Sequence, residues 1–419
     1  MSDPASQSPL STSVSQALKE HYKPQRVKNM VYENNPLLAL MPKYEKFGGE
    51  NMPIPIIVTG PQRRSATFAT AQANPSTSTL KQFLLTRSKD YSFALIEHEA
   101  IRASQNNTDA FLRYATMEID GAIHSLKRSL AIAMYRDGNG ARGQVSAEPS
   151  DSANMVITLQ NAEDITNFEV GMVLNVHSAL TGGSQRTAKT GTTQDFTVDA
   201  IDRDAGTLTF TGQEYATGSG GDIGAADFIF VQGDRGAMIS GLEAWCPAAA
   251  PGATAFFGVD RTADATRLGG NRFDGSALPI EEALIGGAAR VAREGGAPTH
   301  CFMDFASYSN LEKALGSKVV YDKVKSSDAD VGFTALVING PRGPMKVIAD
   351  QNCQPDVAWM LQLDTWSLNT LGAAPQILDA DGAGQLLRTH HLDAYECRVG
   401  YYGNVATNAP GYNCRVALA

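Results

Sequence analysis

One long amphipathic run constrains this chain more than any other feature. Leu112, Ala115, Ile119, Ile123, Leu126, Leu130 and Ala133 recur every three or four residues, the spacing that stacks apolar side chains on one face of an α-helix. Asn107 or Thr108 can cap the start, Asp109 suits the first turn, and Asp137-Gly-Asn-Gly140 is a stop signal. At ~1.5 Å per residue the predicted helix, 108–136, spans roughly 40 Å, where helices average about 11–12 residues. Gly121 inside it costs about 1 kcal/mol relative to Ala, which predicts a close neighbour or a bend.

The chain ahead of this helix reads as arm and ribbon. Residues 1–17 are polar and Ser-rich, the composition of a disordered or extended arm. Helical hints up to Leu40 are broken by Pro24 and Pro36, and the cluster Leu37–Met41 is apolar enough to anchor the arm to a core. Asn51 to Val58 reads as an edge strand because of Pro53 and Pro55. Thr79 to Glu97 reads as its partner, with Tyr91, Phe93 and Leu95 on one face and Ser92 and Ala94 on the other. The connection 59–78 is long, polar and rich in Ser, Thr and Ala. It is either disordered or a projecting loop that something else orders.

Beyond the helix the pattern changes twice. Residues 150–235 lose helical periodicity and show five short strand-like runs: Met155–Leu159, Met172–Val176, Phe196–Ile201, Thr207–Thr211 and Asp227–Val231. With Asp202-Arg-Asp-Ala-Gly206 as a tight turn, they predict a small barrel or sandwich inserted into the rest. After an irregular stretch to Arg272, a mixed α/β region follows. Its helices are 280–294, stopped by Gly295-Gly296, and 305–315, capped by Asp304; its strands include 299–303, 331–339 and 345–350. Residues 386–403 alternate as strands, and 405–419 read as extended.

Composition excludes several functions. Charged residues are 19% of the 419, against roughly 25% in globular chains, which leaves much neutral surface for contacts between subunits. Net charge is −9, and tight nucleic-acid binding depends on Lys and Arg neutralising phosphates, so only loose contact with DNA is expected. The Met1–Gln16 segment lacks signal-peptide character, no run of 18 apolar residues exists, and folding in a cytoplasm is expected. Cys246, Cys301, Cys353, Cys397 and Cys414 form no C-x-x-C pair, which favours buried reduced thiols over disulfides or zinc.

The search for chemistry yields no catalytic, cofactor or metal site. Thr217 to Gly224 has glycines without P-loop spacing or its Lys-Ser/Thr ending. Asp137 to Arg142 departs from a calcium loop at Ala141 and Arg142, and adjacent His390 and His391 point to opposite faces of a strand. Cys301, beside His300, is the one nucleophile worth naming for an alternative reading as a mixed α/β enzyme; a buried thiol is the plainer account. Arg63 and Arg64, with Phe68, lie in the projecting loop and are the candidates for contact with a neighbouring subunit.

The order of parts, with the stretches NPLLALMPKYEKFGGENMPIPI (35–56), FLRYATMEIDGAIHSLKRSLAIAMYRDGNG (111–140), PTHCFMDFASYSNLEKALGSKVVYD (298–322) and DAYECRVGYYGNVATNAPGYNCRVAL (393–418), resembles the major capsid proteins of tailed bacteriophages. The resemblance covers most of the chain outside about 150–235. It implies an α+β, Hong Kong 97-type capsid fold with an inserted small all-β domain. The implied parts are an N-terminal arm (1–45), an extended loop lying across an adjacent subunit (46–98), a peripheral domain with its spine helix (99–149) and the inserted domain (150–235). A peripheral connection (236–274), an axial domain (275–380) and peripheral strands with a C-terminal tail (381–419) complete it. It also implies hexamers and pentamers of the chain itself around packaged double-stranded DNA, with a portal, a separate scaffolding protein, a cementing protein as a further partner and no membrane. The related shell of an encapsulin-like compartment is the second reading. Crosslinking between Lys and Asn side chains, known in some members, is not carried over to Lys81 and Asn74.

Overall fold

The computed structural model describes residues 34–74, 76–98, 108–150, 153–188, 194–213, 215, 222–316, 321–325, 332–378, 386–389 and 392–418. The arm before Asn34, the helix cap at Asn107, the glycines of 217–220 and the His390-His391 pair lie outside them.

The long helix runs Thr108–Tyr135. It ends at the expected turn, where Asp137 Oδ1 accepts from Asn139 N at 2.9 Å. Ile119, Ile123, Leu126 and Leu130 are buried along one face, which packs on strand Ser88–Glu97. Gly121 has no close neighbour: a Cβ there would meet nothing within 4 Å. The expected crowding is absent because Gly121 is exposed and faces a cleft.

Strand Ser88–Glu97 belongs to a six-stranded sheet. It pairs antiparallel along one side of the long strand Ala394–Thr407, from Gly403↔Ser88 to Ala394↔Glu97. Leu387–Arg388, Gln376–Ile377 and Trp366–Thr370 follow one another along the other side, and Lys43–Tyr44 adds a parallel strand outside Trp366–Thr370. The sequence reading ran Thr79–Glu97 as one ribbon strand. The structure breaks it at Arg87. Only Thr79–Thr86 pairs with Asn51–Thr59, as a separate two-stranded hairpin. Arg87 marks the break: its Nη1 donates to Phe47 O at 2.9 Å, and its guanidinium lies over the Phe47 ring.

The hairpin alternates as a strand pair must. Ile54, Ile56, Val58, Phe83 and Leu85 are buried, while Ile57 and Leu80 stand outward at 67% and 66% exposure. Phe83 meets Trp245 edge-on, with ring centroids 5.0 Å apart. The connection between the strands carries a short helix, Phe68–Ala73. Arg63 Nε donates to Ser76 O at 2.8 Å, and Gln62 N donates to Ser76 Oγ at 3.2 Å, so the two sides of the loop hold each other.

A seven-stranded mixed sheet forms the second body, ordered Asn271–Asp274, Cys414–Ala417, Val357–Leu361, His300–Met303, Gly343–Ala349, Gly332–Gly340, Tyr321–Lys325. Helices Ile280–Arg293 and Phe305–Leu315 pack with it. Asp304 caps the second helix as expected, accepting from Ala306 N and Ser307 N at 2.9 and 3.1 Å. Sheet membership crosses the sequence ranges. Trp366–Thr370 and Gln376–Ile377, from within 275–380, join the six-stranded sheet, whereas Cys414–Ala417, expected in an extended tail, lies inside the seven-stranded one.

Between Ala141 and Val231 the chain builds a β-rich unit of one three-stranded and one four-stranded sheet. Phe168, Phe196, Phe210 and Tyr215 lie in its own buried core, apart from the core under the long helix. The Asp202 turn is as read: its Oδ1 accepts from Asp204 N and Ala205 N at 3.0 Å, closing the hairpin onto Thr207–Phe210.

Candidate assembly surfaces

The buried chemistry is structural. Cys301 is fully buried in its strand, and burial raises its thiol well above the ordinary range. A nucleophile needs the thiolate, so this site lacks the reactive form. Burial and nearby Lys346 lower His300 to about 4, and its Nδ1 lies 2.9 Å from Thr299 Oγ1 rather than beside the sulfur. The five cysteines are all free and buried. Among the described residues, no three His, Cys, Asp or Glu side chains are grouped to hold a metal.

A cleft of about 920 Å³ opens between the long helix, strand Ser88–Glu97 and the β-rich unit. On its wall Ser129 Oγ donates to Asp90 Oδ2 at 2.6 Å and accepts from Arg142 Nη2 at 3.1 Å. The hydroxyl is thus held between a carboxylate and a guanidinium that occupies its lone pair. That arrangement braces three elements and does not activate a nucleophile.

A second buried node pins the start of the described chain. The Asp350 carboxylate accepts from Tyr135 Oη at 2.7 Å, from Asn352 N and Nδ2 at 2.9 and 3.0 Å, and from Leu37 N at 3.5 Å. Asn352 Nδ2 also reaches Asn35 Oδ1 at 2.9 Å. With Leu37, Leu38 and Met41 buried behind it, the cluster 37–41 is anchored as its composition led us to expect. The partners lie far apart in sequence and share no motif, so reading residues in order does not reveal them.

The surface is where the apolar side chains are out of place. Phe68 opens the short helix of the hairpin loop and is 83% exposed; Arg63 and Arg64 are exposed on the same loop. A second patch lies on the outer face of the six-stranded sheet. The alternation read at Tyr91, Phe93 and Leu95 is real, but Ala94 and Ile96 face the helix, leaving Tyr91, Phe93 and Leu95 43%, 61% and 39% exposed. They line or flank a groove of about 800 Å³ with Ile377, Leu378 and Tyr402, crossed by the Arg398–Glu396 ion pair. Tyr91 and Tyr402 meet edge-on at 5.9 Å. Grouped apolar exposure of this kind is characteristic of interaction surfaces.

No family model matches the chain, and no curated protein matches it. Solved structures do resemble it. One titled "Cyanophage A-1(L) capsid asymmetric unit" is 11% identical, with TM-score 0.47, covering 91% of this chain and 92% of that one. One titled "Mycobacterium phage Ogopogo" is 9% identical, with TM-score 0.42 and 91% of each chain covered. A virus-like particle from Pyrococcus furiosus is 9% identical, with TM-score 0.37, covering 97% and 98%.

Proposed function

We propose that this chain is the major capsid protein of a tailed bacteriophage, a shell subunit that assembles as hexamers and pentamers around a double-stranded DNA genome. The observation that carries the reading is the hairpin Asn51–Thr86. Its inward row is fixed to the body, while Ile57, Leu80 and Phe68 are left in solvent. A lone soluble subunit gains nothing from such a row. A subunit whose hairpin lies across a neighbour buries it, and many modest repeated contacts add up to a stable closed assembly.

On this reading 1–45 is the arm, and 46–98 carries the reaching loop as the hairpin Asn51–Thr86 before Ser88–Glu97 returns to the body sheet, with Arg63, Arg64 and Phe68 as its contacts. Residues 99–149 brace the peripheral domain, 236–274 connect it, and 381–419 return to it apart from the strand Cys414–Ala417, which lies in the seven-stranded sheet. Residues 275–380 form the axial domain apart from Trp366–Thr370 and Gln376–Ile377, which join the six-stranded sheet, and 150–235 form an inserted domain. A portal, a separate scaffolding protein and a cementing protein are its proposed partners. The net charge of −9 fits a wall that touches DNA loosely, without tight phosphate binding.

Electron microscopy and sedimentation of the purified protein test the proposal. Closed particles containing DNA are expected when the protein is produced with its phage partners. Closed particles holding a cargo enzyme would transfer the fold to a protein compartment, and a small soluble oligomer would overturn the shell reading.

A further inference from the structure

The β-rich unit is joined to the body by two chain crossings that lie side by side. Gly140 on the way in has φ +86°, and a Cβ there would meet Asp234 O, on the way out, at 2.5 Å; only glycine lets the two crossings come this close. Gly233 on the way out has φ +89° and no neighbour within 4 Å. Gly236 N donates to Asn139 O at 2.9 Å, so the crossings are tied into one narrow neck. The unit keeps its own core, and two of its ties to the long helix are ion pairs. Arg128 pairs with Glu169, and Arg136 Nη2 lies 2.7 Å from Asp164 Oδ1.

One side chain bridges neck and body. Arg142 stands just inside the unit, and its side chain is only 6% exposed. Its Nη2 donates to Asp234 Oδ2 at 3.1 Å across the neck and to Ser129 Oγ at 3.1 Å on the long helix, and Ser129 donates onward to Asp90 of the sheet. One carboxylate thus meets the guanidinium directly and the second through the Ser129 hydroxyl, at the root of the 920 Å³ cleft, whose far wall is the unit itself. Burial raises both carboxyls above the ordinary range. The closed arrangement therefore holds their ionised forms at a cost that hydration would relieve.

We propose that the β-rich unit is a lid over this cleft, hinged at its glycine neck and latched by Arg142. The inference does not rest on the capsid reading, since it concerns two parts of a single chain. The latch is small, charged and central, whereas the two bodies it joins have separate cores. Breaking it leaves both bodies intact and loosens the angle between them, with the Arg128–Glu169 and Arg136–Asp164 pairs as the remaining charged ties.

Spin labels on Val156→Cys and Met117→Cys, both exposed, would report that angle; the native thiols are buried. Labelled chain diluted into excess unlabelled chain removes distances between copies. The parent should give one narrow distance peak. Arg142→Ala and the near-isosteric Asp234→Asn should each at least double its width or add a second distance, and 1 M salt should broaden the parent in the same direction. If Arg142→Ala does not fold, Asp234→Asn decides. Unchanged peaks in Asp234→Asn and at high salt would mean that the unit and body move as one, and would overturn the lid.

Discussion

At the residue scale, two ionisable groups, one buried and one half-buried, set measurable costs. Asp350 gathers donors from the long helix, from its own turn and from the chain at Leu37. Asp350→Ala would leave those donors without an acceptor in the interior, at about 3–5 kcal/mol. Tyr135→Phe removes one donor and leaves the carboxylate its other partners, at about 1 kcal/mol. Urea unfolding of unassembled chain measures both, and an Asp350→Ala loss below that of Tyr135→Phe would contradict the node. His300 is the second group. Its folded value of about 4 lies below the ordinary value of about 6.5, so the unfolded chain takes the proton first. The stability it contributes is therefore complete above pH 6.5, is lost as pH falls, and levels off below about pH 4. The side chain is partly exposed, so screening limits the loss to about 1–3 kcal/mol. His300→Gln should flatten the stability profile across that window, and an unchanged slope would assign the acid sensitivity to other groups.

At the element scale, the long helix was legible almost to the residue, because its period is sustained and its stop, Asp137-Gly-Asn-Gly140, is strong. Asp304 and the Asp202 turn were legible for the same reason: capping and turn chemistry are local. The break at Arg87 was not legible. Phe83 and Leu85 are buried at odd positions, and Ala94 and Ile96 at even ones, so the inward phase of the alternation slips between them. A period of two carries no label for which face is inside, and here the long helix takes the face with the small residue. This gives a paired test. Ala94→Leu overfills the contact with the helix and should cost about 1–3 kcal/mol in the isolated chain. Phe93→Ala, on the outer face, should leave the thermal midpoint of the isolated chain nearly unchanged. Equal losses in both would mean that the two faces had been assigned wrongly.

At the scale of the whole molecule, the hairpin loop and the node at Asp350 show why the rest was hidden from the sequence. Both depend on partners outside their own stretch: the node on residues more than 200 positions away, the loop, on our reading, on another copy of the chain. The loop's composition signalled only that its order had to come from elsewhere, and the described residues of the connection 59–78 are held by local bonds, Arg63 and Gln62 to Ser76 and Thr67 to Thr70. Assembly should therefore change this loop more than the body. Hydrogen exchange of its amides should slow at least tenfold in closed particles relative to free chain, while exchange in the long helix changes little. The corresponding variants are Phe68→Asp, which places a charge where an apolar contact is expected, and the double change Arg63→Glu with Arg64→Glu. Each alters an exposed position, so each should leave the melting of free chain within about 0.5 kcal/mol of the parent. Each should also reduce the yield of closed particles by an order of magnitude or more, because a weakened contact is repeated around every ring of subunits. Normal particle yield from both variants, with equal exchange of the loop in free and assembled protein, would remove the hairpin from the assembly contacts.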